Sequence, residues 1–359
     1  MYKYHKIRYI FYFLWFGIVL VIFSSCNSVK ISKAVEKSLE TDFFKNQFTG
    51  LMVYNPKTKD TIVNYNATKY FTPASNVKLA TLYTALHYLP DSIPAFRYVV
   101  DKDTLFVKGT GDPSFLHPYF KDSTALRMFA RFKTVKLVLD NLSDHRYGPG
   151  WSWDDFDKHY SPERSSFPMY GNVVLISNTD STFCTPRILK NKLHFSKSKI
   201  KRAYNTNEFY YPPRPFDKEK IPLVMDSLLI ASLWQDLLPG KVQIVKKAPK
   251  MTQTASSVPT DSVLKRMMLV SDNFLAEQLL IVSSSKFSNR LSSYWMRQQV
   301  LKNELADLHQ KPRWVDGSGL SRYNLFTPAS LVQILTKLYE ELPEERLFNL
   351  FPAGGEGTL

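Results

Sequence analysis

The sequence predicts a mixed α/β chain of the α+β kind, on three observations. Two strand signals run straight into a helix start between Gly50 and Leu89, short β-like runs fill the stretch from Asp91 to about Ala248, and helical patterning dominates from Asp261 onward. With 359 residues and 44% apolar content the chain can bury a sizeable core, and its length suggests about two domains.

The first 25 residues stand apart from that core. Lys3, Lys6 and Arg8 precede an apolar run from Tyr9 to Phe23, and Ser24-Ser25-Cys26 follows. This reads as a lipoprotein signal peptide over 1–25 with Cys26 as the acylated new N-terminus, because the run is short for a membrane span and small residues lie just before the cysteine. The mature chain would then be anchored by lipid on the periplasmic side of the cell envelope. Cys184 would be left alone, so no intramolecular disulfide is possible, and a lone thiol of this kind reads as core.

Gly50–Tyr54 and Thr61–Tyr65 read as two strands joined by a polar turn through Asn55-Pro56-Lys57. Next comes a helix start. Thr72 suits the N-cap and Pro73 the first helical position, and an apolar stripe of Leu79, Leu82 and Leu86 runs until Leu89-Pro90. Ser75 falls in the first turn with Lys78 three residues on, on the same face. A serine and a lysine so placed can make an acyl-transfer nucleophile without histidine, and the Ser75 backbone N–H at the positive helix end can serve as an oxyanion donor. The pattern S-x-x-K also occurs at Ser196/Lys199, Ser198/Lys201, Ser262/Lys265 and Ser283/Lys286, but the combination of cap, proline and following stripe belongs to Ser75.

From Asp91 to about Ala248, runs such as Thr104–Val107, Val135–Leu139 and Val173–Ile176, divided by Gly, Pro and Asp, predict an inserted β-rich domain. Within it Lys190, Lys192, Lys197, Lys199, Lys201 and Arg202 form a basic run, read as a solvated strand or loop. Tyr210–Pro215 reads as a rigid surface loop, and Thr252–Thr260 as a polar connector back to helical sequence. The formal charge of +15 falls to +12 once Lys3, Lys6 and Arg8 leave, which suits anionic cell-wall peptides or lipid head groups; the export signal disfavours nucleic acid.

The helical part opens with Leu264, Met267 and Met268, and Ser271-Asp272-Asn273 then interrupts the pattern before Phe274. These are ordinary capping residues. They are also groups suited to acyl transfer, since a serine hydroxyl relays protons and an asparagine amide holds a carbonyl. Gly317-Ser318-Gly319 reads as a tight turn near the active site. Seven histidines, His5, His87, His117, His145, His159, His194 and His309, are scattered without an H-E-x-x-H pair, so the sequence implies neither a metal nor a cofactor.

Taken in order, these motifs resemble the D-alanyl-D-alanine carboxypeptidase/endopeptidase family of low-molecular-mass penicillin-binding proteins, which carry S-x-x-K, S-x-N and K-T-G. Phe71-Thr-Pro-Ala-Ser-Asn-Val-Lys-Leu79 resembles the family's nucleophile segment and Val107-Lys-Gly-Thr-Gly-Asp-Pro113 its G-x-G-D-P turn. Gly148-Pro-Gly-Trp-Ser-Trp-Asp-Asp155 is similar to a tryptophan-rich stretch, and Asp316-Gly-Ser-Gly-Leu-Ser-Arg-Tyr-Asn324 to a further signature. The resemblance implies a penicillin-binding-protein/β-lactamase-like transpeptidase fold: an antiparallel sheet flanked by a helical cluster, split into residues 26–90 and 249–359 around an insert over 91–248. It also implies Ser75 as nucleophile, Lys78 as base with its pKa depressed by burial or neighbouring positive charge, Ser271 as proton relay and Asn273 as positioner. Asp272 reads as structural. The substrates would be peptidoglycan stem peptides and the inhibitors β-lactams. No K-T-G, K-S-G or H-T-G follows Asn273, so the expectation is a truncated second part that lacks the C-terminal sheet strands. Two other readings stay open, a non-catalytic envelope lipoprotein that binds cell-wall peptides, which that absence favours, and a β-lactamase, which shares the S-D-N motif.

Overall fold

The computed structural model describes residues 28–179 and 182–358, so the signal peptide and Cys26 lie outside the described residues. A helix through residues 28–39 (α1) and a short helix Asp42–Lys45 (α2) lead into the predicted hairpin, strands β1 (Leu51–Asn55) and β2 (Asp60–Tyr65), paired antiparallel. Asn55 folds the turn by accepting from the backbone N–H groups of Lys57 and Thr58. Helix α3 (Lys78–Tyr88) follows directly and stops at Leu89, whose extended backbone obeys the proline after it.

The helix start differs from the expected one. A 3₁₀ turn over Ala74–Val77 precedes α3, and Ala74 has φ 48°. The Thr72 cap therefore does not form; Pro73 is already in helical conformation and the chain turns one residue later than a proline at the first helical position would make it.

Strand β3 (Ser92–Asp101) begins a five-stranded mixed sheet of order β11-β5-β4-β3-β12, with β4 (Thr104–Gly109), β5 (Thr134–Val138), β11 (Lys241–Ile244) and β12 (Gln253–Pro259). Helices α4 (Thr124–Phe129) and α5 (Ser227–Leu237) bury Phe129 and Trp234 with Phe96, Phe115 and Phe167 in a core of its own. β12 corrects the sequence reading of Thr252–Thr260 as a connector: it pairs antiparallel with β3 at the sheet edge. Its residues are too polar to announce a strand, because an edge strand with one solvated face has little to bury.

A smaller three-stranded sheet, β10-β6-β7, is built from β6 (Val173–Asn178), β7 (Thr182–Thr185) and β10 (Phe216–Pro222), and it buries Cys184 as expected. Beside it β8 (Leu193–Phe195) and β9 (Phe209–Tyr211) pair in parallel, so Tyr210 and Tyr211 belong to a strand rather than to the loop predicted for them. Arg202 also departs from the solvated run assigned to it. It is fully buried, donating to the carbonyls of Ala203, Tyr204 and Phe156.

Helices α6 (Thr260–Leu269), α7 (Asn273–Ser284), α8 (Ser293–Lys302), α9 (Pro328–Glu341) and α10 (Glu344–Leu350) complete the chain. With α3 they form the third core, and α9 packs on β1. At its centre lies α7, buried from Phe274 to Ser284, which is what an apolar run of this length on all sides of a helix requires.

Candidate active site

The site grows from two interruptions in helical backbone. The first is the 3₁₀ turn that carries Ser75 into α3, and the second is the break between α6 and α7, where Ser271 has φ 53° and Asp272 caps α7 by accepting from the Leu275 N–H. Asp272 thus fills the structural role expected of it. The positive φ of Ser271 turns its side chain out of the helical path, and its hydroxyl donates to Ser75 Oγ at 2.8 Å.

Lys78, on the first turn of α3, is 2% exposed. Its Nζ lies 3.2 Å from Ser75 Oγ and donates to Asn273 Oδ1 at 2.7 Å and to the Ser318 carbonyl at 2.7 Å. The structure therefore brings together Ser75, Lys78, Ser271 and Asn273, from two segments almost 200 positions apart. Burial depresses the Lys78 amine from its ordinary 10.5 to about 8, while the carboxylates of Glu277, Asp272 and Asp316 pull the other way. The expectation named burial or neighbouring positive charge; the charges acting on Lys78 are negative, and burial outweighs them.

Gly317-Ser318-Gly319 forms the turn expected near the site, and the turn does more than stand nearby. Gly319 has φ 90°, and a Cβ there would come within 1.9 Å of the Ala74 carbonyl oxygen, so this glycine lets the turn lie flat against the backbone that presents Ser75. The Gly317 and Ser318 N–H groups both donate to Glu277 Oε1, at 2.8 and 2.9 Å, and Thr81 Oγ1 donates to the Gly317 carbonyl. Asp316, fully buried, accepts from Gly319 N–H, Ser321 N–H, Asn324 Nδ2 and Trp151 Nε1. This ties the tryptophan-rich stretch to the same turn.

Glu277 and the part played by the Ser318 carbonyl escaped sequence reasoning. Ser318 contributes a backbone carbonyl, which no residue pattern announces. Glu277 did leave a signal, as a lone acid in the apolar run Phe274–Val282, one turn after Asn273. It is buried beside Arg164 (3.5 Å), and burial raises its pKa. Among the described residues no group of His, Cys, Asp and Glu is placed to hold a metal ion.

A model of the D-Ala-D-Ala carboxypeptidase 3 (S13) family matches residues 31–207 and 228–359. The D-alanyl-D-alanine carboxypeptidase DacB of Haemophilus influenzae is 23% identical, covering 86% of this chain and 75% of the relative. Penicillin-sensitive carboxypeptidase A of Dictyostelium discoideum is 22% identical, covering 86% of this chain and 72% of its own length. Among solved structures, penicillin binding protein 4 (dacB) from Haemophilus influenzae superposes with a TM-score of 0.63 at 22% identity, over 86% of this chain and 79% of that one. A second structure of that protein, complexed with a β-lactam, gives a TM-score of 0.58 at 19% identity, over 86% and 78%. These superpositions show a shared mixed α+β fold.

Proposed function

The chain belongs to the D-Ala-D-Ala carboxypeptidase 3 (S13) family and is a D-Ala-D-Ala carboxypeptidase; from that premise we propose that it cleaves peptidoglycan stem peptides through an acyl-enzyme on Ser75. One observation carries the reading. A neutral lysine amine has two hydrogens and one lone pair, and around Lys78 stand two acceptors, Asn273 Oδ1 and Ser318 O, together with one hydroxyl, that of Ser75. The two acceptors take the hydrogens, which leaves the lone pair for the Ser75 proton.

In the proposed sequence Ser75 Oγ bonds to the carbonyl carbon of the penultimate D-alanine while its proton passes to Lys78 Nζ. The Ser75 backbone N–H faces the developing oxyanion. Collapse breaks the C–N bond; Ser271 gives its hydroxyl proton to the departing amine and is restored from Lys78. Water then hydrolyses the ester, with Lys78 again taking the proton. Asn273 holds Lys78 through Oδ1 and offers its amide nitrogen to the substrate. A fluorescent penicillin should label the full-length protein covalently and fail to label Ser75→Ala; label on the variant would refute the assignment.

Its bacterial cell-wall relatives support a location in the cell envelope, where peptidoglycan is. We infer further that Cys26 carries the lipid that holds it there. Cys26→Ala should move the protein from the membrane fraction to the soluble periplasmic fraction, and an unchanged fractionation would overturn the anchor.

A further inference from the structure

The β-rich part carries a groove that none of the proposed catalytic groups lines. Its volume is about 670 Å³, inside the range of about 300–1,000 Å³ usual for ligand sites, and Trp153, Phe156, Tyr204 and Tyr210 line it with Ile200. Trp153 is 77% exposed, while Phe156, at 8%, forms the floor. An indole laid open beside an aromatic floor marks a surface that something covers.

The groove is rigid and has polar edges. Arg202, fully buried, stands behind it, 5.3 Å from the centre of the Phe156 ring, and donates to the carbonyls of Phe156, Ala203 and Tyr204; the Tyr204 ring meets Phe156 edge-on at 5.0 Å. Ser196 and Ser198 also face the groove. Ser196 Oγ accepts the Ser198 N–H at 3.0 Å and Ser198 Oγ the Ile200 N–H at 3.1 Å, so both hydroxyls are pinned as acceptors and keep their hydrogens for a ligand. Lys197 and Lys199 alternate with these serines and are exposed, and no acidic oxygen lies within 4.0 Å of either among the described residues.

The turn that carries Trp153 is tied to the acyl-transfer site on both sides. Trp151 Nε1 donates to Asp316 at 2.8 Å. Asp155 accepts from the Tyr160 hydroxyl at 2.8 Å, and the Tyr160 carbonyl accepts from Asn273 Nδ2 at 3.0 Å.

We propose that this groove binds the saccharide chain of peptidoglycan. The C–H face of an amino-sugar ring stacks on Trp153, as an apolar, slightly positive surface does on the negative face of an indole. Its acetamido carbonyl and ring hydroxyls accept from Ser196 and Ser198, and carboxylates borne by the chain face Lys197 and Lys199. A lipid surface would also meet aromatic rings and lysines, but it calls for apolar side chains projecting from a convex face, whereas here the aromatic floor is sunken and hydroxyls stand at its wall. The proposal rests on the peptidoglycan reading above for which polymer is bound, and not on Ser75 for how it is bound.

The test measures, by calorimetry and tryptophan fluorescence on the full-length protein, the binding of two peptide-free oligosaccharides: a neutral β-1,4-linked tetramer of N-acetylglucosamine, and a peptidoglycan tetramer stripped of peptide, whose alternate sugars carry a lactyl carboxylate. Both should bind, the second more tightly. Trp153→Ala should weaken both at least about tenfold; the side chain is exposed, so its loss leaves the fold intact. Lys197→Gln/Lys199→Gln should weaken the carboxylate-bearing tetramer alone, until the two bind equally. Absence of binding at millimolar saccharide, or binding that Trp153→Ala leaves unchanged, would overturn the groove. Flotation with anionic phospholipid vesicles, run on Cys26→Ala so that a lipid anchor plays no part, identifies the rival: vesicle binding lost in Trp153→Ala without saccharide binding would make the patch a membrane contact and overturn the proposal. Neither saccharide contains a cleavable peptide, so saccharide binding in a protein whose Ser75 is not labelled by penicillin would refute the acyl-enzyme reading and leave the groove supported.

Discussion

At the scale of single residues, the proposed chemistry turns on how far burial moves Lys78. At about 8 rather than 10.5, roughly a tenth of the amine is free at pH 7 and about nine-tenths at pH 9. The penicillin acylation rate should therefore climb about tenfold between those two values and then level off. An unshifted lysine would instead still be gaining about tenfold per pH unit at pH 9. Acylation rates measured from pH 6 to 10 discriminate the two, and a profile without a plateau would remove Lys78 as the buried base. Stability follows the same shift with a definite sign. Between about pH 8 and 10.5 the unfolded chain holds a proton on this lysine that the folded chain does not, so folding gains with rising pH across that window; below it a constant cost of about 3 kcal/mol remains. Of these residues, Ser75, Lys78, Ser271 and Asn273 were legible in the sequence because their types and order are chemically distinctive. The Ser318 carbonyl was not, since every residue has one, and Glu277 was hidden by its apolar neighbours although its charge in that run was a clue.

At the scale of elements, the site depends on backbone that leaves the helix at two points and on a turn that fits against one of them. Gly319 is the sharpest case. Adding a methyl group there sets a carbon 1.9 Å from the Ala74 carbonyl oxygen, which is backbone and cannot rotate away, and it also forces an L residue to hold φ 90°. Gly319→Ala should cost about 2 kcal/mol or more and slow Ser75 acylation by at least about tenfold, through displacement of the serine turn and of the Ser318 carbonyl that orients Lys78. Gly354→Ala is the matched control, because nothing lies within 4 Å of a Cβ there. Thermal melts and labelling rates of the two variants check this; normal acylation in Gly319→Ala would show that the turn is not a support of the nucleophile. Element boundaries were legible where a cap or proline announced them, as at Leu89-Pro90 and at Asp272. They failed where conformation outweighed residue type: Thr72-Pro73 reads as a helix start, yet Ala74 turns the chain to positive φ first, and β12 pairs at a sheet edge with too few apolar side chains to show a period.

At the scale of the whole molecule, the helical core and the β-rich part are fastened together by buried polar groups rather than by apolar contact alone. Gln278 of α7 donates to the carbonyls of Gly111 and Ser165 and accepts the Ser165 N–H, and Arg164 reaches Glu277 and Asp144. The Asn141 side chain bridges the carbonyls of Gly109 and Asn289. Segments of the β-rich part thereby satisfy groups on the helix that carries Asn273, and Glu277 in turn holds the turn whose carbonyl orients Lys78. Breaking the β-rich core should consequently be felt at Ser75, the proposed nucleophile. Trp234 is the place to break it: fully buried, its indole lies 4.5 Å from both Phe115 and Phe129. Trp234→Ala should cost about 3–5 kcal/mol. Trp234→Phe should cost less, because the indole N–H it removes is buried without a partner among the described residues. If the polar clasp couples the cores, urea titrations followed by near-ultraviolet circular dichroism and by penicillin labelling will give one shared midpoint, lowered together by Trp234→Ala. Labelling that persists after the circular dichroism transition would mean that the helical core holds Ser75 and Lys78 in place unaided, and that Gln278, Arg164 and Asn141 join the parts without tying their stabilities.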